Sequence, residues 1–167
     1  NIIPDLISIS KGLTGGFLPM GITLSKEKVF QSFIDDSPKK TFWHGHSFTA
    51  NPLGCAAANA SLDLLEKEPQ KYLSFQDKHF SNLVEFRKLP IIKKIRITGT
   101  IAAFDLNVGN NAGYLSNIGK KIKSLSIEKG LFIRPLGNVL YLLPPLCISD
   151  NQLEKSYWII KQILNDL

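Results

Sequence analysis

A short β-branched run that ends on a lysine and then opens into paired glycines limits what this chain can be. Residues 7–16 read Ile-Ser-Ile-Ser-Lys-Gly-Leu-Thr-Gly-Gly. The stretch from Leu6 to Ser10 predicts a buried strand bounded by turn residues. Lys11 therefore stands where a strand hands over to a loop, and Gly15 and Gly16 free the backbone just beyond it. Open α/β sheets bind ligands outside the carboxyl ends of their strands. A lysine partly desolvated there gives up its proton more readily, because burial disfavours the ammonium form, and the free amine can attack a carbonyl. Taken alone, Lys11 also reads as an ordinary solvated charge. The motif is not a P-loop, in which the glycines precede the lysine.

A second informative stretch, residues 42–57, reads Phe-Trp-His-Gly-His-Ser-Phe-Thr-Ala-Asn-Pro-Leu-Gly-Cys-Ala-Ala. Asn51 can cap the helix that follows, and Pro52 suits its first turn, where a missing amide hydrogen costs nothing. Leu53, Ala56, Ala57, Ala60 and Leu64 recur at helical spacing and predict a packed apolar stripe. The preceding loop gathers a glycine, histidines and hydroxyls at a helix entrance, where a phosphate could collect hydrogen bonds. His44 and His46 lack further metal ligands at a useful spacing, since His79 falls in a predicted helix, and they read otherwise as turn residues with local hydrogen bonds.

The third stretch, residues 131–145, reads Leu-Phe-Ile-Arg-Pro-Leu-Gly-Asn-Val-Leu-Tyr-Leu-Leu-Pro-Pro. It predicts two strands about a turn, with Arg134 ending the first and Tyr141 within the second. An arginine in such apolar company calls for an anion, because a buried unpaired charge is costly. Its planar fork suits a carboxylate. That carboxylate could be a ligand's or an acid within the fold.

Together these stretches resemble the class III, fold-type I aminotransferases that use pyridoxal phosphate (PLP). Ser-Lys-Gly-Leu-Thr-Gly-Gly with Leu18-Pro19-Met20-Gly21 is similar to the family's lysine motif, which implies that Lys11 carries the cofactor as a Schiff base. His-Gly-His-Ser-Phe-Thr-Ala-Asn-Pro-Leu-Gly-Cys-Ala resembles the segment that reaches across a dimer interface to the cofactor phosphate of the other subunit. The resemblance implies that Ser47 supplies a hydroxyl to that phosphate, with the His46–Ser47 backbone beside it and Gly45 against the substrate. Ala50 stands where relatives often have glycine. Ile-Arg-Pro-x-Gly-Asn followed by Tyr-Leu-x-Pro-Pro is similar to the family's substrate-carboxylate arginine and next strand, which implies substrate contacts for Arg134 and a place nearby for Tyr141. Arg96 to Gly99 resembles the Arg-x-x-Gly strand of the family's small domain. The partners implied are a small-molecule amino donor and a keto acceptor, with a homodimer as the assembly. Members acting on ornithine, 4-aminobutyrate and other ω-amino acids share the general pattern. The rival from another class is a non-catalytic α/β module that binds an anion or a protein.

The resemblance implies an α/β fold in which residues 1–68 are the C-terminal part of the PLP-binding large domain and residues 69–167 the small α+β domain. Charge and proline at Glu66 to Pro69 mark the boundary independently. The key strand begins almost at Asn1, so the chain reads as the C-terminal piece of a longer protein. In the family, the aspartate on the pyridine nitrogen and the ring-stacking residues lie upstream of the lysine. Residues 1–167 alone are therefore expected to bind PLP poorly and not to turn over. At 44% apolar and 20% charged, the composition is that of a globular protein. The net charge of +6 comes from lysines scattered over predicted helix faces, without a nucleic-acid motif. No apolar run has the length of a membrane span and no signal peptide is legible, so a cytoplasmic location is expected. Cys55 and Cys147 match no metal or redox spacing and read as buried small hydrophobes.

The remaining elements complete the reading. Phe17 to Leu24 predicts a strand, followed by a helix capped by Ser25 and bearing Val29, Phe30 and Phe33. Residues 70–88 predict a helix with Leu73, Phe80, Leu83 and Val84 inward, then strands at Ile91–Ile97 and Ile101–Leu106. A helix with Leu115, Ile118, Ile122 and Leu125 inward stops at Gly130. A last helix, capped by Ser149 and Gln152, turns Leu153, Tyr157, Ile160, Leu164 and Leu167 inward.

Overall fold

The computed structural model describes residues 2–167. They fall into two compact units that divide between Glu68 and Pro69. In the first unit, β1 (Leu6–Ile9) and β2 (Ile22–Ser25) form an antiparallel pair in which Leu6 lies opposite Ser25 and Ile9 opposite Ile22. A single 3₁₀ turn, Lys11–Thr14, follows β1 directly. The short helix α1 (Glu27–Gln31) starts after Lys26 rather than after Ser25, which the chain uses as the last residue of β2. The long helix α2 (Pro52–Lys67) closes the unit.

The expected burial is reversed on these elements. The β1 side chains Leu6, Ile7 and Ile9 remain 57%, 44% and 36% exposed, so β1 is a strand but not a buried one. On α2 the inward residues are Gly54 and Ala58, whereas Leu53 and Leu64, expected in the core, face outward. The small side chains win because α2 lies close to the 3₁₀ turn and to Met20. A Cβ on Gly54 would stand 2.9 Å from Met20 Sδ.

The second unit has a meander of three antiparallel strands, β3 (Ile92–Thr98), β4 (Ile101–Leu106) and β5 (Val139–Leu142), in the order β3-β4-β5. Its other elements are α3 (Pro69–Leu73), α4 (Phe75–Leu83), 3₁₀ turns at Glu85–Lys88 and Gly109–Asn111, α5 (Ile118–Glu128) and α6 (Asp150–Asn165). The predicted helix over residues 70–88 is thus three pieces. The break alters which side faces in: Phe75, His79, Leu83 and Phe86 are buried, while Leu73, Phe80 and Val84 are exposed. Ile122 is buried on α5, as its spacing predicts, and Leu115 lies outside that helix, exposed. On α6 the cap is reciprocal: the Ser149 hydroxyl accepts from Gln152 N, and the Gln152 side chain accepts from Ser149 N. Leu153, Tyr157, Ile160 and Leu164 are buried there, and Leu167 is exposed. Cys55 is half-buried and Cys147 exposed, so neither is the core residue expected from its neighbours. Among the described residues no helix is long and apolar enough to cross a membrane.

The core of the second unit contains a buried polar chain centred on His79. His79 is 0% exposed, with Nδ1 2.7 Å from the Tyr157 hydroxyl and Nε2 3.0 Å from the Thr100 carbonyl. A carbonyl only accepts, so Nε2 carries the proton and Nδ1 accepts from Tyr157. Burial lowers the His79 pKa below its ordinary 6.5, against the opposing effect of the Thr100 bond, and burial also raises that of Tyr157. The folded state therefore takes up this proton at lower pH than the unfolded state. This contribution to stability is complete above pH 6.5 and is lost as the pH falls below it. Urea titrations should show lower stability at pH 5 than at pH 7, with a shallower difference in His79→Leu. That substitution should also cost about 2 kcal/mol at pH 7, because it leaves the Tyr157 hydroxyl and the Thr100 carbonyl unpaired.

Candidate active site

Lys11 is positioned by a turn that holds its backbone tightly and leaves its side chain free. Its φ is +29°, outside the range that L-residues normally occupy. Gly16 N donates to the Lys11 carbonyl at 3.3 Å and Gly15 N to the Gly12 carbonyl at 3.1 Å. The Thr14 hydroxyl is buried, donates to the Leu18 carbonyl at 2.5 Å and accepts from Leu18 N at 3.4 Å. From α2, Ser61 Oγ donates to the Gly12 carbonyl at 3.4 Å. Among the described residues the Lys11 ammonium has no ion-pair partner, and the residue is exposed. The partial desolvation expected of it is therefore not met within this unit. Thr14 was not singled out by sequence reasoning, although a hydroxyl between a turn and the glycine pair is a signal for such a clamp.

Gly45 and His46 line a cleft of about 680 Å³ with Pro19, Met20, Gly21 and Asn51. Lys11 and Ser47 are not among its lining residues. Ser10, just before Lys11, donates through Oγ to the Met20 carbonyl at 3.1 Å and so ties the end of β1 to the cleft wall. The loop is held by its own side chains, as expected for these histidines: His46 N donates to Thr49 Oγ1 at 3.0 Å, and Phe48 N donates to His46 Nδ1 at 3.1 Å. These bonds leave Ser47 out. Ser47 is exposed, and its N–H and hydroxyl have no partner among the described residues. Two adjacent unpaired donors fit a phosphate, whose oxygens only accept at neutral pH. Asn51 caps α2 through Oδ1, which accepts from Gly54 N at 2.7 Å. Ala50 reaches that cap with φ +54°.

In the second unit Arg134 and Tyr141 line a separate cleft of about 360 Å³ with apolar walls that include Phe132, Leu143, Pro144 and Pro145. The expected strand before the turn is absent: only β5 forms, and a single bridge joins Leu136 to Val139. Arg134 is exposed and has no hydrogen bond or ion pair among the described residues. An acid within this unit is thus not its counterion, which leaves the guanidinium open to a ligand carboxylate. Arg96, by contrast, is spent on the scaffold, donating to Asp105 across the β3–β4 pair at 2.7 Å. No group of three or more histidine, cysteine or acidic residues among the described residues is arranged to hold a metal ion.

Residues 1–164 match the family described as aminotransferase class III. The chain belongs to this family. Class III aminotransferases are PLP-dependent. The chain is 48% identical over 166 residues to the adenosylmethionine-8-amino-7-oxononanoate aminotransferase of Synechococcus elongatus, covering 99% of this chain and 39% of that relative. With the enzyme of the same name from Geobacter sulfurreducens it is 38% identical, over 92% of this chain and 35% of the relative. The chain therefore spans less than two fifths of either relative's length. Among solved structures, the enzyme of that name from Methanocaldococcus jannaschii superposes with a TM-score of 0.89 at 28% identity, over 98% of this chain and 39% of that one. The acetylornithine aminotransferase of Elizabethkingia anophelis gives 0.83 at 26% identity, over 99% and 42%. The fold is that of a fold-type I transferase, as its motifs led one to expect.

The class III turn before α2 carries a measurable strain at Ala50. Left-handed backbone costs a residue with a Cβ roughly 1–2 kcal/mol, part of which glycine returns through its looser unfolded chain. Ala50→Gly should therefore raise stability by up to about 1 kcal/mol, measured by denaturant titration.

Proposed function

We propose that the intact protein is a PLP-dependent aminotransferase that passes an amino group to the ketone of 8-amino-7-oxononanoate, giving 7,8-diaminononanoate, a step of biotin synthesis. The observation that carries this reading is Arg134, a partnerless guanidinium at the mouth of an apolar cleft. Such a site suits a carboxylate at the end of a methylene chain. The 48% identity to a relative of that name supports it.

PLP, when bound, supplies an electron sink for the carbon that loses its proton. Lys11 Nζ would hold the cofactor and, when its amine is free, would act as the base that takes the proton from the donor carbon and as the acid that delivers it to the cofactor. Ser47 holds the cofactor phosphate through its hydroxyl and N–H, with His46 beside it. Gly45 lies against the substrate. Arg134 anchors the acceptor carboxylate, and Tyr141 stands near it. Residues 1–68 form part of the cofactor-binding domain and residues 69–167 the small domain. The amino donor is S-adenosylmethionine, with lysine the second candidate. We read the protein as a homodimer, since the loop around Ser47 resembles one that serves the other subunit's cofactor. Unpaired cysteines suit the reducing cytoplasm. A second reading, a class III aminotransferase acting on an acylated ω-amino acid, is favoured by the acetylornithine enzyme's likeness in fold.

Borohydride reduction of the intact protein with PLP, followed by peptide mass mapping, should yield a phosphopyridoxyl group on Lys11 and none in Lys11→Ala. Unmodified Lys11 in the folded protein, given ample cofactor, would favour the non-catalytic binding module instead. In steady-state assays Arg134→Ala should raise the KM for 8-amino-7-oxononanoate tenfold or more. That is the scale of losing a charge-assisted pair worth about 1.5–3 kcal/mol. Failure to form 7,8-diaminononanoate, with turnover of acetylornithine, would favour the second reading.

A further inference from the structure

The segment that presents Arg134 is not held by a sheet. Residues 131–135 belong to no strand, and only the Leu136–Val139 bridge closes the turn behind them, with reciprocal N–H to carbonyl bonds of 2.9 Å. The turn is fixed from another direction, by Asn138. This side chain is only 8% exposed and uses both ends of its amide. Nδ2 donates to the Leu106 carbonyl at 2.9 Å, and Oδ1 accepts from Gly113 N at 2.7 Å. The Asn138 carbonyl accepts from Leu106 N at 2.8 Å. One residue is thus bonded to the end of β4 and to the loop before α5.

Close backbone approaches on either side of the turn complete the hold. Gly137 has φ +59°, and a Cβ there would collide with the Gly113 carbonyl and come within 2.7 Å of Tyr114 Cα. A Cβ on Gly119, in α5, would collide with the Gly137 carbonyl and lie 3.0 Å from Pro135 Cβ. The turn is wedged between loop and helix. From it the chain runs back through Pro135, whose ring fixes φ and confines the preceding Arg134 to extended backbone. The Pro135 ring and the Leu136–Val139 bridge restrain the backbone between the anchored amide and the arginine.

We infer that Asn138 is a positioning residue, which sets the Arg134 guanidinium at the cleft so that it meets a carboxylate in two-point fashion. The inference rests on the reading of Arg134 as a carboxylate anchor. Its logic is geometric: a two-point pair tolerates little displacement, and residues 131–135, which present Arg134, lie in no strand whose ladder would keep their place. Replacing Asn138 leaves the guanidinium present but unaimed. The loss should therefore fall on ligands that carry a carboxylate and spare isosteres that do not.

The test compares nonanoate with nonanamide, which share an aliphatic chain and differ in the charged end, by calorimetric titration into the intact protein. Wild type should prefer the carboxylate. Arg134→Ala should abolish the preference, and Asn138→Ala should reduce it tenfold or more, with an unchanged affinity for nonanamide and an unchanged borohydride-trapped adduct on Lys11. A merely structural role would weaken both ligands together. Asn138→Ala with the full preference retained overturns the inference and leaves the Arg134 reading standing. Preference retained in Arg134→Ala removes the anchor itself, and with it any role for Asn138 in aiming it. If Asn138→Ala does not fold, Asn138→Ser decides. Its short hydroxyl keeps a polar group in the turn but does not span both the Leu106 carbonyl and Gly113 N, and it should show the same selective loss. A full preference in that variant counts against the inference.

Discussion

The burial of β4 is the constraint on which the second unit depends. Ala102, Phe104 and Leu106 alternate inward along it, all but fully removed from water, while β3 and β5 pair with it on either side. Phe104 packs against Phe86 at 5.6 Å between ring centroids, and Phe86 against Tyr157 of α6 at 5.7 Å. Each such side chain contributes roughly 1.5–3 kcal/mol by leaving water, so this strand and its cover supply much of the unit's driving force. The far end of the same strand supplies Leu106, whose N–H and carbonyl both engage Asn138. Core and site therefore share one element.

The polar residues divide into two kinds. Thr14, His79 and Asn138 are buried and satisfied, and each fixes a turn or a junction of elements. Lys11, Ser47 and Arg134 are exposed, with polar groups that have no partner among the described residues. Scaffold groups are recognised by what they have already bonded, and the candidate site by what it has left open. The two units repeat this division, each with an open cation or donor set on a backbone held by a buried amide or hydroxyl.

Local geometry was more legible in the sequence than the core was. Lys11, Ser47 and Arg134 stand in motifs whose residue order is itself the signal, and their local elements follow from glycine, proline and cap chemistry. The α6 cap was legible for the same reason, since Ser149 and Gln152 bond within one turn. Burial was less so. Periodicity names an apolar side of α2 with Leu53 and Leu64, but the contact with the Lys11–Thr14 turn needs small residues, and Gly54 and Ala58 take it. The break near Ser74 shifts the inward face of the next helix from Phe80 to His79, which no single-helix template anticipates. Asn138 was hidden because its bonds run to Leu106 and Gly113, remote in sequence, and a turn asparagine alone gives no sign of a buried amide.

The irregularity in β3 bears on how copies of this protein behave in a crowded solution. The register between β3 and β4 shifts between Lys93 and Arg96, and Lys94 sits there at φ +49°. Because β3 is an outer strand of its sheet, that kink interrupts the row of backbone donors and acceptors a foreign strand would need for pairing. Lys93 adds a charge along the same border, where Lys94 and Arg96 both engage Asp105. A second molecule approaching edge to edge would meet a bent backbone whose donors and acceptors are out of step with its own, which guards the small sheet against open-ended stacking into fibrils.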